Sequence, residues 1–185
     1  MSLGIAYPGE KCGFMSRTGP AYIVVEGPIG VGKTSLARRL AHSFESDLLL
    51  EIPEENPFLE RFYQDPRSGA LPAQLFFLFQ RTRQMEALHQ ADMFQPVRVA
   101  DFLMEKDRMF AELTLDKEEL KLYEQIYSHL TVDHPVPDLV IYLQAPEDVL
   151  LKRIARRGIS YERRIDAGYL RRLSEAYARM FLYYD

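Results

Sequence analysis

Gly27-Pro28-Ile29-Gly30-Val31-Gly32-Lys33-Thr34 is the stretch that decides the fold. It fits the pattern G-x-x-x-x-G-K-[ST], which needs a strand before it and a helix after it. Both flanks are present. Ala21-Tyr22-Ile23-Val24-Val25-Glu26 is an apolar, β-branched run, and Ser35-Leu36-Ala37-Arg38-Arg39-Leu40 begins a helical pattern. The glycines let successive backbone N–H groups turn toward phosphate oxygens at the positive end of a helix. Lys33 would reach the β and γ phosphates, and the Thr34 hydroxyl would face Mg²⁺. A bound nucleotide is therefore expected.

Working outward, composition bounds the rest. The chain has 185 residues, 47% of them hydrophobic, which suffices for one α/β domain with a sizeable core. A net charge of −4 argues against binding a nucleic-acid polymer. The basic residues cluster at Lys152 to Arg157 and Arg163 to Arg172, which suits small phosphates. The single Cys12 excludes an internal disulfide and fits a reducing compartment. His42, His89, His129 and His134 lack metal-ligand spacing and read as surface or packing residues. No apolar run is long enough for a membrane span, nor does the start resemble a signal peptide, so a cytoplasmic location is expected.

Residues 1–19 show no periodic pattern and read as a flexible lead-in or as sequence added in cloning, with Met15 a candidate natural start; 20–185 reads as a single domain. After the loop, a helix is expected to bury Leu36, Ala37, Leu40, Ala41 and Phe44. Leu48-Leu49-Leu50-Glu51 is a second strand whose carboxyl end delivers Glu51 to the crevice side of a parallel sheet. Asn56-Pro57 starts a short helix ending near Tyr63, and a long helix is expected over 71–92. Gln74, Leu78 and Arg81 share one face of it, because seven residues are nearly two turns. The apolar run at 75–79 implies burial in a core or between subunits. Val97 to Asp101 is the third strand, with helix expected over 102–111, and Asp116 with Glu119 forms a capping box. Leu139 to Leu143 is the fourth strand, and Pro146 opens a helix closed by Gly158. A cationic loop over 158–164 follows, and Asp166 caps a last helix striped by Tyr169, Leu170, Leu173, Tyr177, Met180 and Phe181. Strand, loop and helix recur four times, as in an α/β protein with right-handed crossovers. A fifth strand is missing, and residues beyond 185 are expected in the natural protein.

A phosphate loop serves many chemistries. An Asn-Lys-x-Asp tetrad for guanine is absent, and Asp101 is followed by Phe102 rather than Glu, which disfavours GTPases and AAA-type ATPases. A small-molecule kinase needs an acid to take a proton from the acceptor, a second acid near Mg²⁺ and arginines to close over the transferring group. Glu51, Asp101 and the arginines of the cationic loop supply that set.

Glu51, Asn56-Pro57-Phe58-Leu59, Tyr63, Gln74 with Arg81 seven on, Asp101, Arg153 to Gly158 and Glu162 together resemble the deoxyribonucleoside kinase family, in particular the bacterial deoxyadenosine/deoxyguanosine kinases. The resemblance covers about 21–184. It implies a three-layer P-loop NTPase fold with a parallel sheet of about five strands and a lid loop, usually in a homodimer formed through long helices. It implies transfer of the ATP γ-phosphate, with Mg²⁺, to the 5′-hydroxyl of a deoxynucleoside, with purine preference. By position, Glu51 resembles the general base, with Arg153 and Arg157 catalytic. Gly27, Gly30, Val31, Gly32, Lys33, Thr34, Ser35 and Arg156 would bind ATP, and Thr34 with Asp101 the metal. Tyr63 would meet the sugar 3′-hydroxyl with Glu162 as partner, Gln74 the base edge, Arg81 with Asp107 the base, and Phe110 would stack on it. Two departures stand out. The arginine that many members carry after the third strand's acid is Phe102 here, leaving Arg81 as its expected substitute. The lid's second arginine is Ile159. A thymidylate-type monophosphate kinase and a non-catalytic nucleotide-binding subunit are the rival readings; the missing arginine counts against the first, and the altered lid would fit the second.

Overall fold

A computed structural model describes residues 22–90, 97–130 and 135–184. The sheet has four parallel strands, β1 (Tyr22–Glu26), β2 (Asp47–Leu49), β3 (Arg98–Ala100) and β4 (Leu139–Tyr142), in the order β2-β3-β1-β4. All five residues of β1 are buried, as a central parallel strand covered on both faces requires. Its register pairs Val24 with Ala100 on one side and with Val140 on the other.

Alternation along β1 sorts the core into two layers. Ile23 and Val25 meet Ala37 and Ala41 of α1 (Lys33–Phe44). Tyr22 and Val24 face the opposite layer, with Leu78 and Met85 from α3 (Pro66–Gln90) and Tyr123 from α5 (Lys117–Leu130). Between β2 and α3 lies α2 (Leu59–Gln64). The rest are α4 (Lys106–Thr114), α6 (Glu147–Arg157) and α7 (Ala167–Leu182), with short 3₁₀ turns at Pro53–Glu55 and Tyr161–Arg164. The three-layer α/β architecture is as expected, with four strands among the described residues. No helix among the described residues is long and apolar enough to cross a membrane.

The expected caps form. Asp116 Oδ1 accepts from the backbone N–H groups of Glu118 and Glu119, each at 2.9 Å, and Glu119 reaches back to Asp116 N at 3.3 Å. Asp166 Oδ1 accepts from Tyr169 N at 2.7 Å, and Gly158 closes α6 at φ 76°. Three boundaries and the burial of one side chain differ from expectation. The helix expected from 71 begins at Pro66, because the Asp65 carbonyl accepts from Ser68 and Gly69 and starts the first turn. Gly69 packs there against α2, where a Cβ would lie 2.4 Å from Phe62 N. The helix expected over 102–111 runs instead from Lys106, since Leu103 N donates to a side chain, Glu26, rather than into a helix ladder. The short helix expected from Asn56-Pro57 starts at Leu59; the Asn56 side chain accepts from Phe58 N at 3.0 Å and donates to the Ala73 carbonyl at 3.1 Å. Phe44 is 45% exposed, because α1 ends there and Glu45 takes a left-handed φ of 49° as the chain turns into β2.

Candidate active site

A cavity of about 1120 Å³ opens at the carboxyl ends of the strands, bounded by the phosphate loop, the segment after β2, α2, α3, α4, α6 and the turn at 161–164. Its floor is the loop. Gly27 has φ 147°, and a Cβ there would sit 2.4 Å from the Leu143 carbonyl, so β4 and the loop can approach only around a glycine. Gly32 has φ 109° with no atom within 4 Å of a Cβ position, leaving its face open toward the cavity. Lys33 Nζ donates to the Gly27 carbonyl at 2.7 Å, and burial together with the nearby Lys106 ammonium pushes it below its ordinary value. Arg153 of α6 braces the loop by donating to the Val31 carbonyl at 2.8 Å. Val31 and Ser35 also line the cavity.

Thr34 Oγ1 donates to Asp101 Oδ2, while Asp101 Oδ1 accepts from Glu51 N at 2.8 Å. One carboxylate thus ties α1 to the segment carrying Glu51. Burial raises Asp101 above the ordinary carboxylate value, and its bonds from Thr34 and the Glu51 backbone oppose that rise. Thr34 and Asp101 form an all-oxygen donor pair of the kind that hard divalent cations take, and they fit Mg²⁺ held mainly by phosphate and water. Among the described residues no cluster of three or more His, Cys, Asp or Glu is placed to hold a metal by itself.

Glu51 is held on both oxygens. Oε1 accepts from Arg81, and Oε2 accepts from Lys106 Nζ at 3.1 Å. Burial alone would raise its carboxyl, but Arg81, Lys106 and Lys33 more than offset this and hold it at about 2. From α3, Gln84 Nε2 donates to the Leu50 carbonyl at 2.9 Å, and Gln80 Nε2 to the Ile52 carbonyl at 3.3 Å. These bonds fix the backbone on both sides of Glu51.

Arg81 is the hub of the ion pairs on this side of the cavity. Its other nitrogen donates to Asp107, its guanidinium lies 5.2 Å from the Phe77 ring centroid, and it is 4% exposed. Burial would lower Arg81, yet Asp107 and Glu51 together raise it, so it stays charged. Gln74, nearly two turns earlier on the same face of α3, is buried and donates to Thr114 Oγ1 at 3.2 Å. Phe110 lines the cavity and meets Tyr177 edge-on at 6.1 Å. Tyr63 stacks on Tyr161 at 5.8 Å with an interplanar angle of 12°. Glu162 gives both its oxygens to Arg157, Oε2 at 3.0 Å from Nε, across the turn that covers this end.

The structure therefore gathers Glu51, Tyr63, Gln74, Arg81, Asp101, Phe110, Arg153, Arg157 and Glu162 around one cavity. Three expected residues are off this lining. Gly27 opens the phosphate loop but packs against the Leu143 carbonyl rather than lining the cavity. Asp107 is fully buried behind Arg81 and off the cavity wall, so it anchors the arginine rather than facing the cavity. Arg156 lies on the exposed face of α6, off that wall, because 153 and 157 share the inner face. The sequence reading also missed Lys106, Glu26 and Tyr177. Glu26 is fully buried; Oε1 accepts from Gly27 N at 2.8 Å and Tyr177 OH at 2.9 Å, Oε2 from Leu103 N at 2.9 Å, and Lys106 Nζ stands 3.5 Å away. Glu105-Lys106-Asp107-Arg108 looks like a solvated run of mixed charge, and Tyr177 looks like one rung of an apolar stripe. The signal available was Glu26 itself, an acid ending a wholly apolar strand, which needs buried donors.

The comparisons with known proteins agree with this geometry. A family model described as deoxynucleoside kinase matches residues 23–185. A deoxyguanosine kinase from Bacillus subtilis is 40% identical, covering 84% of this chain and 76% of that protein. A deoxyadenosine kinase from Lactobacillus acidophilus is 30% identical, over 88% of this chain and 77% of its own. The solved structure of a deoxyadenosine kinase from M. mycoides, with products dCMP and a flexible dCDP bound, superposes with a TM-score of 0.78 at 23% identity, covering 87% of this chain and 83% of that one.

Proposed function

The chain belongs to the deoxynucleoside kinase family, and from that premise we propose that it moves the γ-phosphate of ATP to the 5′-hydroxyl of a purine deoxynucleoside, with Glu51 as the base. The observation that carries the reading is the position of Glu51. It stands on the cavity wall between the phosphate loop with Lys33 on one side and Tyr63, Gln74 and Arg81 on the other. An acceptor lying along that second wall would bring its hydroxyl to Glu51 and face the triphosphate.

In the reaction Glu51 accepts the hydroxyl proton as the O5′–Pγ bond forms. The bond from Pγ to the bridging oxygen breaks, and its electron pair leaves with ADP. Arg81, Lys106 and Lys33 keep Glu51 ionised and so able to accept the proton, in a reaction where positioning and charge stabilisation dominate. Lys33 and the loop amides hold the donor; Arg153 and Arg157 approach from α6 to offset charge on the transferring group. Thr34 and Asp101 would hold Mg²⁺, which when bound neutralises the β and γ phosphate oxygens. Purine preference is supported by the names of the relatives and by Gln74, whose amide suits the paired donor and acceptor of an adenine-like edge. Phe79 and Leu122, 45% and 47% exposed on α3 and α5, support a homodimer through these helices.

A coupled ADP-release assay with deoxyadenosine, deoxyguanosine, deoxycytidine and thymidine tests the reading. Turnover is expected with at least one purine deoxynucleoside and fastest with it. Absence of turnover with all four would overturn the reaction, and a pyrimidine in first place would overturn the preference.

A further inference from the structure

Each oxygen of Glu51 accepts from a cation, Oε1 from Arg81 and Oε2 from Lys106, and an acceptor hydroxyl must come within reach of one of them. The two cations that hold it differ in freedom. Arg81 is locked: Asp107 grips its second nitrogen from behind, and the Phe77 and Phe102 rings flank it at 5.2 and 6.0 Å. Lys106 has an alternative. Its Nζ lies 3.1 Å from Glu51 Oε2 and 3.5 Å from Glu26 Oε2, so a displacement of well under an ångström passes it from one carboxylate to the other. It also lines the cavity while its side chain is 3% exposed. Glu26 is a fixed receiver, pinned by Gly27 N, Leu103 N and Tyr177 OH.

We propose that Lys106 is a positioning residue for the acceptor step: its ammonium aims the Glu51 carboxylate, and it shifts onto Glu26 when the acceptor hydroxyl takes its place on Glu51 Oε2. The exchange keeps a buried ammonium paired throughout, so no uncompensated charge appears as the acceptor binds. Glu26 precedes the phosphate loop directly and bonds its first amide, so the receiver is rigid with respect to the donor site. The inference rests on Glu51 being the acceptor's base.

The test compares Lys106→Met and Lys106→Arg with the wild-type chain in steady-state kinetics for ATP and for the purine deoxynucleoside. With methionine, Glu51 keeps one holder and loses its aim. kcat is expected to fall about 10²-fold, the scale of a misplaced reacting group, while the KM for ATP stays within about twofold and the acceptor KM does not rise. Arginine keeps a cation between the two carboxylates and is expected to recover at least about tenfold of the lost kcat. Wild-type kcat in the methionine variant, a loss expressed only as a raised KM, or an arginine variant no better than methionine would overturn the proposal. Should the methionine variant fail to fold, Lys106→Gln carries the same comparison: a matching loss of kcat supports it, and wild-type kcat overturns it. Absence of turnover by the wild-type chain would instead overturn the assignment of the reaction.

Discussion

Replacing Asp107 by asparagine removes one charge from a pair that is almost wholly out of water, Asp107 being 0% and Arg81 4% exposed. The shape changes little. Two unit charges about 3 Å apart at an effective dielectric constant of about 20 attract by about 5 kcal/mol. Asparagine keeps a carbonyl to accept from the guanidinium, and Glu51 still pairs with Arg81, so the loss falls at the low end of the 3–5 kcal/mol typical of breaking a buried pair, about 3 kcal/mol. For a chain of this size that corresponds to a melting point lower by about 6–12 °C. Urea unfolding at pH 7, followed by circular dichroism, measures it directly. A second arm sharpens the reasoning: Asp107→Leu, which leaves the guanidinium nitrogen with no acceptor on that side, is expected to be less stable than Asp107→Asn. An asparagine variant within 1 kcal/mol of wild type, or a leucine variant no less stable than the asparagine one, would refute the account of Asp107 as the anchor of Arg81.

The remaining predictions concern the phosphate loop, Glu51 and the partners of Glu26. Glu51→Gln should lower kcat by about 10²–10⁴-fold with little change in ATP binding, measured by steady-state kinetics and nucleotide titration. The folded value of Glu51, about 2, lies below its ordinary 4.5, so its ion pairs stabilise the fold fully above pH 4.5 and progressively less as pH falls toward 2. The stability gap between wild type and Glu51→Gln, about 3 kcal/mol at pH 7, should therefore narrow at pH 3.5 in urea titrations. Gly27→Ala should lose about 1–3 kcal/mol and most nucleotide affinity, because its methyl would meet the Leu143 carbonyl at 2.4 Å with φ at 147°; calorimetric titration and thermal melting check this together. Tyr177→Phe should cost about 1.5–3 kcal/mol in urea unfolding, the worth of a buried hydrogen bond to a charged group.

The phosphate loop, its flanking strand and helix, and the order of the elements were readable because each follows from local pattern: apolar runs, caps and turn residues. Glu51's place at a strand end and the shared helix face of Gln74 and Arg81 were readable from local pattern and spacing; what Gln74 and Arg81 would bind came only from the family resemblance. What escaped depends on contacts between distant segments. Lys106 sits in a run of alternating charge that no local rule distinguishes from a solvent-facing helix, and only the approach of Glu26 and Glu51 makes it a buried cation. Asp107, next to it, was expected on the cavity wall, but the helix starts four residues later than its apolar lead suggests, which turns Asp107 behind Arg81. The start of α3 departs in the opposite direction: Gly69, before the helix expected from 71, lies inside it and marks a tight crossing with α2.

The partners of Glu26 also bear on how the chain reaches its native state. Leu103 N and Tyr177 OH lie 77 and 151 residues further along the chain. The carboxylate that seats the first amide of the phosphate loop thus completes its set of donors only with segments synthesised long after it. Such pairings have high contact order, and they are made late because long-range closure must precede the gain. During synthesis the glycine loop emerges early, but its buried acid lacks its last donor, Tyr177, until α7 has docked. Competence to hold a nucleotide should consequently arise in one late step, and a ribosome-bound chain stopped before Tyr177 should not retain ATP on an affinity resin, whereas one extended past α7 should.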